Sequence, residues 1–100
     1  KVLNVLGVFF EELDQFIQQC NKGIFSKDNN ALAEAAHKIK GAAAMLGLER
    51  LETPFAQLES DAREDNVRDL TNRIQSLKDL AKQTEAMFDH YVSLSVNSHS

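Results

Sequence analysis

Apolar residues recur every three or four positions along this chain, and no stretch keeps the strict alternation of a half-buried strand. The spacing predicts four amphipathic helices over about residues 2–22, 28–46, 48–63 and 67–93, followed by a polar C-terminal tail. Asp28 is a suitable N-cap for the second helix, and Gly47 is suited to end it. Because short connections favour antiparallel neighbours, the pattern predicts an all-α protein, a single-domain antiparallel up-down four-helix bundle over residues 1–100.

Pro54 interrupts the regularity of the third predicted helix. Proline removes one backbone hydrogen bond and clashes with the preceding turn, so a kink is expected there. Alternatively, Thr53 caps a restarted helix with Pro54 at its first position.

The segment AHKIKGAAAMLG, residues 36–47, places a histidine on the outer face of the second helix. Ile39 belongs to the apolar stripe and lies about 200° around the axis from His37, so His37 should face solvent. The same face is expected to carry several small or polar neighbours: Asn30, Ala33, Glu34, Lys40, Gly41 and Ala44. Since glycine within a helix costs roughly 1 kcal/mol relative to alanine, Gly41 suggests that space beside the imidazole matters.

Composition and charge narrow the classes of function. The chain has 100 residues, 43% of them hydrophobic, and a formal net charge of -4. This acidic balance argues against nucleic acid or direct membrane contact, because both partners require a basic surface. A single cysteine forms no intrachain disulfide, and no apolar run approaches the roughly 20 residues that span a bilayer.

The motif around His37 resembles that of the histidine-containing phosphotransfer (Hpt) domain family. His37, Lys40, Gly41 and Gly47 match the family pattern A-H-x-L-K-G-x-x-x-x-x-G. The likeness is specific from residue 28 to about residue 59, whereas the outer helices agree in periodicity only. The resemblance implies a phosphorelay intermediate of the kind found at the C-terminus of hybrid sensor histidine kinases.

The resemblance also implies roles for particular residues. His37 would accept a phosphoryl group from a receiver-domain aspartate and pass it to an aspartate of a response regulator. Lys40 would contact the phosphoryl oxygens, and Gly41 would leave room for them. Glu59 and Arg63 of the third helix are candidates for polar contacts near the histidine, with solvated helix surface as the alternative for both.

The residues themselves are compatible with this chemistry. Neutral imidazole is a nucleophile, and a lysine one turn away offers a cation to phosphoryl oxygens. The sequence has no glycine-rich phosphate loop, so we expect no ATP site, no enzyme activity of its own and no cofactor. Magnesium is expected only in the partner receiver domain.

Other readings of the same residues lead to different classes of function. The principal alternative is a helical-bundle interaction module that binds partners without phosphotransfer. The phosphorylated hairpin of sensor kinases typically places an acidic residue after its histidine, whereas Lys38 follows His37 here. A metal or haem bundle is disfavoured because His37 faces outward and His90, His99 and Cys20 have no ligand spacing with it.

The expected docking surface surrounds His37 and includes Ala33, Lys38 and Ala44. Val5 and Val8 lie off the inward stripe of the first helix, so they are expected to extend this surface, unless they pack on a further segment of polypeptide. The partners would be receiver domains of a hybrid kinase and of a response regulator, with the isolated domain a monomer. Because the amphipathic pattern is already under way at residue 1, a longer parent is expected, with a cytoplasmic location that could be the cytoplasmic end of a membrane-bound sensor kinase.

Overall fold

Four helices make up the described part of the chain. The computed structural model describes residues 2–97, and side chains for residues 6–90 of these. The helices are α1 (Val2–Asn21), α2 (Asn29–Met45), α3 (Glu49–Arg63) and α4 (Leu70–Asn97), and no strand occurs among the described residues. Each helix packs against its neighbours in the chain, and α1 also packs against α4. The predicted all-α four-helix bundle is therefore confirmed.

The predicted caps of α2 are both present. The Asp28 carboxylate accepts a hydrogen bond from the Ala31 amide at 3.0 Å, which satisfies one of the free amides at the start of the helix. At the other end Gly47 has φ +73°, and the Leu48 amide donates to the Ala43 carbonyl at 2.8 Å. This left-handed closure terminates α2 and turns the chain directly into α3.

Helix α3 continues through Pro54 as one element. The alternative in which Thr53 caps a restarted helix is therefore wrong. The side chains of Leu51, Phe55 and Leu58, on both sides of the proline, are fully buried. Their packing offsets the one hydrogen bond that proline cannot make. The kink expected at Pro54 stays a prediction.

Helix α4 begins three residues later than predicted. Asp65 and Asp69 have φ angles of 54° and 51°, in the left-handed region that interrupts helical hydrogen bonding. Val67 lies between them and packs against the core from the connection rather than from a helix. The ion pair between Arg73 and Asp61, at 2.9 Å, joins the first turn of α4 to α3. At its other end α4 extends to residue 97, beyond the predicted residue 93.

The core follows the predicted stripes closely. Its buried members on the helices include Phe9, Leu13, Phe16, Ile17, Leu32, Ala36, Ile39, Ala43, Leu51, Phe55, Leu58, Ala62, Ile74, Leu77 and Ala81. Phe25, in the α1–α2 connection, is also buried, with its ring centroid 5.9 Å from that of Phe16. The helical periodicity missed Phe25 because a connecting segment has no repeating face.

Glycine-to-alanine substitutions should have opposite effects on stability at the end and in the middle of α2. Gly47→Ala places an L residue in the left-handed region and should lower the free energy of unfolding by about 1 kcal/mol. Gly41→Ala should raise it by up to about 1 kcal/mol, since a Cβ at this helical position meets nothing within 4 Å. Gly7→Ala, at an equally open position of α1, is the matched control and should behave like Gly41→Ala. Urea unfolding measures all three, and a destabilised Gly41→Ala would show that Gly41 serves helix packing instead.

Candidate functional site

His37 lies in the middle of α2 with its ring at the surface. Its side chain is 59% exposed, whereas that of Ile39, on the opposite side of the helix, is buried in the core. The outward orientation expected for His37 is confirmed. A partner can therefore reach the ring without any rearrangement of the core.

A glutamate on α3 forms the centre of the site. The Nδ1 atom of His37 lies 3.2 and 3.1 Å from the two carboxylate oxygens of Glu59. Lys40 Nζ lies 2.8 Å from Oε1, and Arg63 donates to Oε2 from Nε at 3.1 Å and from Nη2 at 3.0 Å. Glu59 is itself almost buried, with a side chain only 12% exposed. One carboxylate thus holds three basic side chains from two helices.

The basic neighbours of Glu59 keep its carboxyl group ionised. The hydrogen bond from Lys40 has the largest effect and, with those from Arg63 and His37, lowers the pKa of Glu59 from 4.5 to about 2, although burial acts in the opposite direction. An ionised carboxylate only accepts hydrogen bonds, so Nδ1 of His37 carries the proton that it shares with Glu59. In the neutral ring the lone pair is then on Nε2, the atom that does not face Glu59.

Lys40 has a different partner from the one that the resemblance suggested. It was expected to contact phosphoryl oxygens, and here it is paired with Glu59. Arg63, which was a candidate for a polar contact near the histidine, is also paired with Glu59. The sequence contained a signal for part of this network, because Glu59 and Arg63 are four residues apart on one helix face. The resemblance had also named Glu59 as a candidate near the histidine, and the structure brings the two residues into contact. Periodicity alone contained no signal for this contact, because Glu59 and His37 are 22 positions apart.

The surface beside His37 is more open than a charged helix face. Gly41 and Ala44 are exposed, as expected, and so is Lys38. Ala33, however, was wrongly assigned to this surface, because it is fully buried. At about 100° per residue, Ala33 lies between His37 and Lys40 around the axis of α2, on the flank that packs against α3.

A polar-rimmed groove runs along the other flank of α2, against α1. Phe16, Phe25 and Ile39 contribute apolar surface to it, and the remaining lining residues include Glu12, Gln15, Gln19, Glu34 and Lys38. Val8 is 53% exposed, whereas the side chain of Val5 lies outside the described residues. The sequence interpretation missed Glu12 and Gln15, which line this groove together with Lys38.

Cys20 of α1 is not part of this network. Burial raises the pKa of the Cys20 thiol to about 12, which makes it a poor nucleophile. Among the described residues, no group of three His, Cys, Asp or Glu side chains is placed to hold a metal ion. Within the same part of the chain, none of the helices has both the length and the apolar character required to cross a bilayer.

Comparison with known protein families identifies the chain's family. The family model described as "Hpt domain" matches residues 4–88, which include α2, α3, most of α1 and α4, and the whole site around His37. Searches of curated proteins and of solved structures returned no significant match.

The ionised state of Glu59 predicts a specific pH dependence of stability. Because its pKa is lower in the folded chain than in the unfolded chain, Glu59 contributes stability above pH 4.5, and this contribution is lost as the pH falls from 4.5 towards 2. Glu59→Gln should therefore have a lower free energy of unfolding than the wild type at pH 7. The difference in free energy of unfolding between the two proteins should shrink as the pH falls from 5 to 3.

Urea unfolding of both proteins at pH 7, 5, 4 and 3 measures this difference. Glu12→Gln, which removes an exposed carboxylate of α1, is the control and should change the free energy of unfolding by less than about 0.5 kcal/mol at each pH. A difference between wild type and Glu59→Gln that is the same at every pH would contradict the network described here.

Proposed function

Because this chain belongs to the Hpt domain family, whose members are phosphocarriers that interact with receiver domains in phosphorelay signalling, we propose that His37 is its phosphoacceptor. In this proposal His37 takes a phosphoryl group from an aspartate of one receiver domain and delivers it to an aspartate of a response regulator. One observation carries the assignment. His37 is exposed and its Nδ1 is held by Glu59, which leaves Nε2 free to react.

The transfer step is a displacement at phosphorus. The lone pair of Nε2 attacks the phosphorus atom, the bond between phosphorus and the aspartate oxygen breaks, and the aspartate leaves as a carboxylate. The imidazole ring keeps its Nδ1 proton and gains positive charge as the new bond forms. Glu59, whose oxygens lie 3.1 and 3.2 Å from Nδ1, would stabilise that charge. In the second transfer, an aspartate of the response regulator attacks and Nε2 leaves.

Two cations near His37 can compensate for the charge of the phosphoryl group. Lys40 and Arg63 share the single negative charge of Glu59, so the network carries one positive charge in excess, before any charge on His37 is counted. Lys40 is one helical turn from His37 and its side chain is 30% exposed. In our proposal Lys40 contacts the phosphoryl oxygens while Arg63 remains on Glu59.

The phosphoryl donor would be another protein. A receiver aspartyl phosphate already has a good leaving group, and Mg²⁺ belongs to the receiver site in this scheme, so this chain supplies only a positioned nucleophile. We further propose that the parent polypeptide is a hybrid histidine kinase and that the domain acts in the cytoplasm as a monomer.

Substitution of the nucleophile is the direct test of this proposal. His37→Gln should abolish labelling of the chain by a phosphorylated receiver domain. The thermal midpoint should change little, because the exposed ring adds nothing to the core. The donors would be receiver domains from the same genome, each phosphorylated on aspartate with acetyl phosphate.

His90→Gln, at an exposed position of α4, is the matched control and should be labelled like the wild type. The wild-type chain with ATP and Mg²⁺ alone should remain unlabelled. Label persisting on His37→Gln would refute the assignment of His37. Absence of label on the wild type with every receiver would favour an interaction module without phosphotransfer.

Gly41 provides a separate test of access to the imidazole. Gly41→Gln should leave the bundle folded, since a Cβ there meets nothing within 4 Å, but should slow transfer from the receiver at least tenfold. The added side chain would rise one turn from His37 into the space of the approaching phosphoaspartate. Gly7→Gln, at an equally open glycine of α1, should fold and transfer normally. Equal rates for the wild type and Gly41→Gln would eliminate the steric role.

A further inference from the structure

Met45, at the last turn of α2, is exposed to an unusual degree. Four large apolar side chains are exposed in the described part of the chain: Val8, Ile24, Met45 and Met87. The other three are 53 to 57% exposed, whereas Met45 is 89% exposed. An almost fully exposed methionine loses the hydrophobic stabilisation that burial would give it.

Met45 lies on the same surface as His37. Eight residues along α2 correspond to about 12 Å, and the rotation about the axis between the two residues is about 80°. Gly41 lies between them both along the helix axis and in rotation about it, and Ala44 is next to Met45 in the sequence. The path from His37 to Met45 is therefore occupied by short side chains, and Met45 projects at its end.

The fold does not require an apolar residue at this position. Where a helix ends on a left-handed glycine, the residue after the glycine usually supplies the accompanying hydrophobic contact. Here that residue is Leu48, which is 6% exposed. Met45 precedes the turn and is not part of the core.

Helix α1 brings a second apolar residue to the same end of this surface. Glu12 and Gln15 of α1 line the groove beside Lys38. Val8 is four residues from Glu12, on the same face of α1 and one turn further towards the α1 N-terminus. Glu12 lines the groove with Lys38, so in an antiparallel pair of helices the register would place Val8 level with residues near Ala42, between His37 and Met45 along α2.

We propose that Met45 is an apolar anchor for the receiver domain that exchanges phosphoryl groups with His37, and that Val8 extends the same contact. This inference rests on the proposed function. It also specifies the partner: its receiver carries an apolar side chain at least about 12 Å from the phosphorylated aspartate.

The receiver is favoured over other occupants because a partner that docks on His37 with an interface of ordinary size would also cover Met45. A standard interface buries about 800 Å² on each partner, which corresponds to a patch of roughly 16 Å radius. A patch of that radius centred on His37 includes Met45. Methionine is enriched in protein interfaces relative to the rest of the surface, and covering its apolar side chain there contributes to binding.

Substitution of Met45 by a polar residue of similar length tests the proposal. Met45→Gln should raise the KM for the phosphorylated receiver about tenfold while the maximal rate of transfer is retained. The receiver used is the one that labels the wild-type chain fastest. Met45→Leu should restore the KM to within about threefold of the wild-type value. Ile24→Gln, in the connection at the opposite end of α2 from Met45, is the matched control because Ile24 is also an exposed apolar residue, and its KM should be unchanged.

The possible outcomes distinguish this inference from the proposed function. If the wild type is labelled and Met45→Gln has the same KM, the anchor is refuted while the phosphotransfer role of His37 stands. A fall in the thermal midpoint of Met45→Gln that matches its loss of transfer would refute the anchor too, by showing a structural role. Sedimentation in which the wild type dimerises and Met45→Gln does not would assign Met45 to a second copy. If no receiver labels the wild type, both proposals fail.

Discussion

The site depends on one carboxylate, that of Glu59, which holds basic groups from two helices at once. A nearly buried carboxylate is tolerated only when its charge is compensated, and Lys40, Arg63 and His37 compensate it together. The same contacts fix which nitrogen of His37 carries the proton. Stability of the α2–α3 pair and the chemical state of the imidazole are therefore coupled through a single side chain.

Packing between α2 and α3 makes this contact possible. The α2 residues on the buried side are mostly small, and Ala33, Ala36 and Ala43 are all fully buried. Small side chains allow the two helix axes to approach closely, so that Glu59 can reach Nδ1 of His37 directly. The left-handed turn at Gly47 contributes as well, because it sends the chain back along α2 without a long connection.

The side chains around His37 differ in charge and size from one side of the ring to the other. Towards α3 the surface is basic and held by Glu59, whereas towards α1 it is a polar-rimmed groove. Along α2 towards its C-terminus the side chains are short until Met45. A nucleophile that must meet another protein requires open space and a nearby contact surface, and this arrangement provides both without a pocket that encloses the ring.

The sequence alone determined the helices, the core stripes, the outward direction of His37 and the openness at Gly41, because all of these follow from periodicity within one helix. It did not determine the start of α4, because the left-handed conformations of Asp65 and Asp69 depend on how the connection packs. It misplaced Ala33, because a helical wheel does not show which neighbour covers a given flank. The resemblance named Glu59 as a candidate near His37, but only the tertiary structure showed the contact itself, since a contact between two helices depends on the rotation and register of both, and no local pattern encodes these.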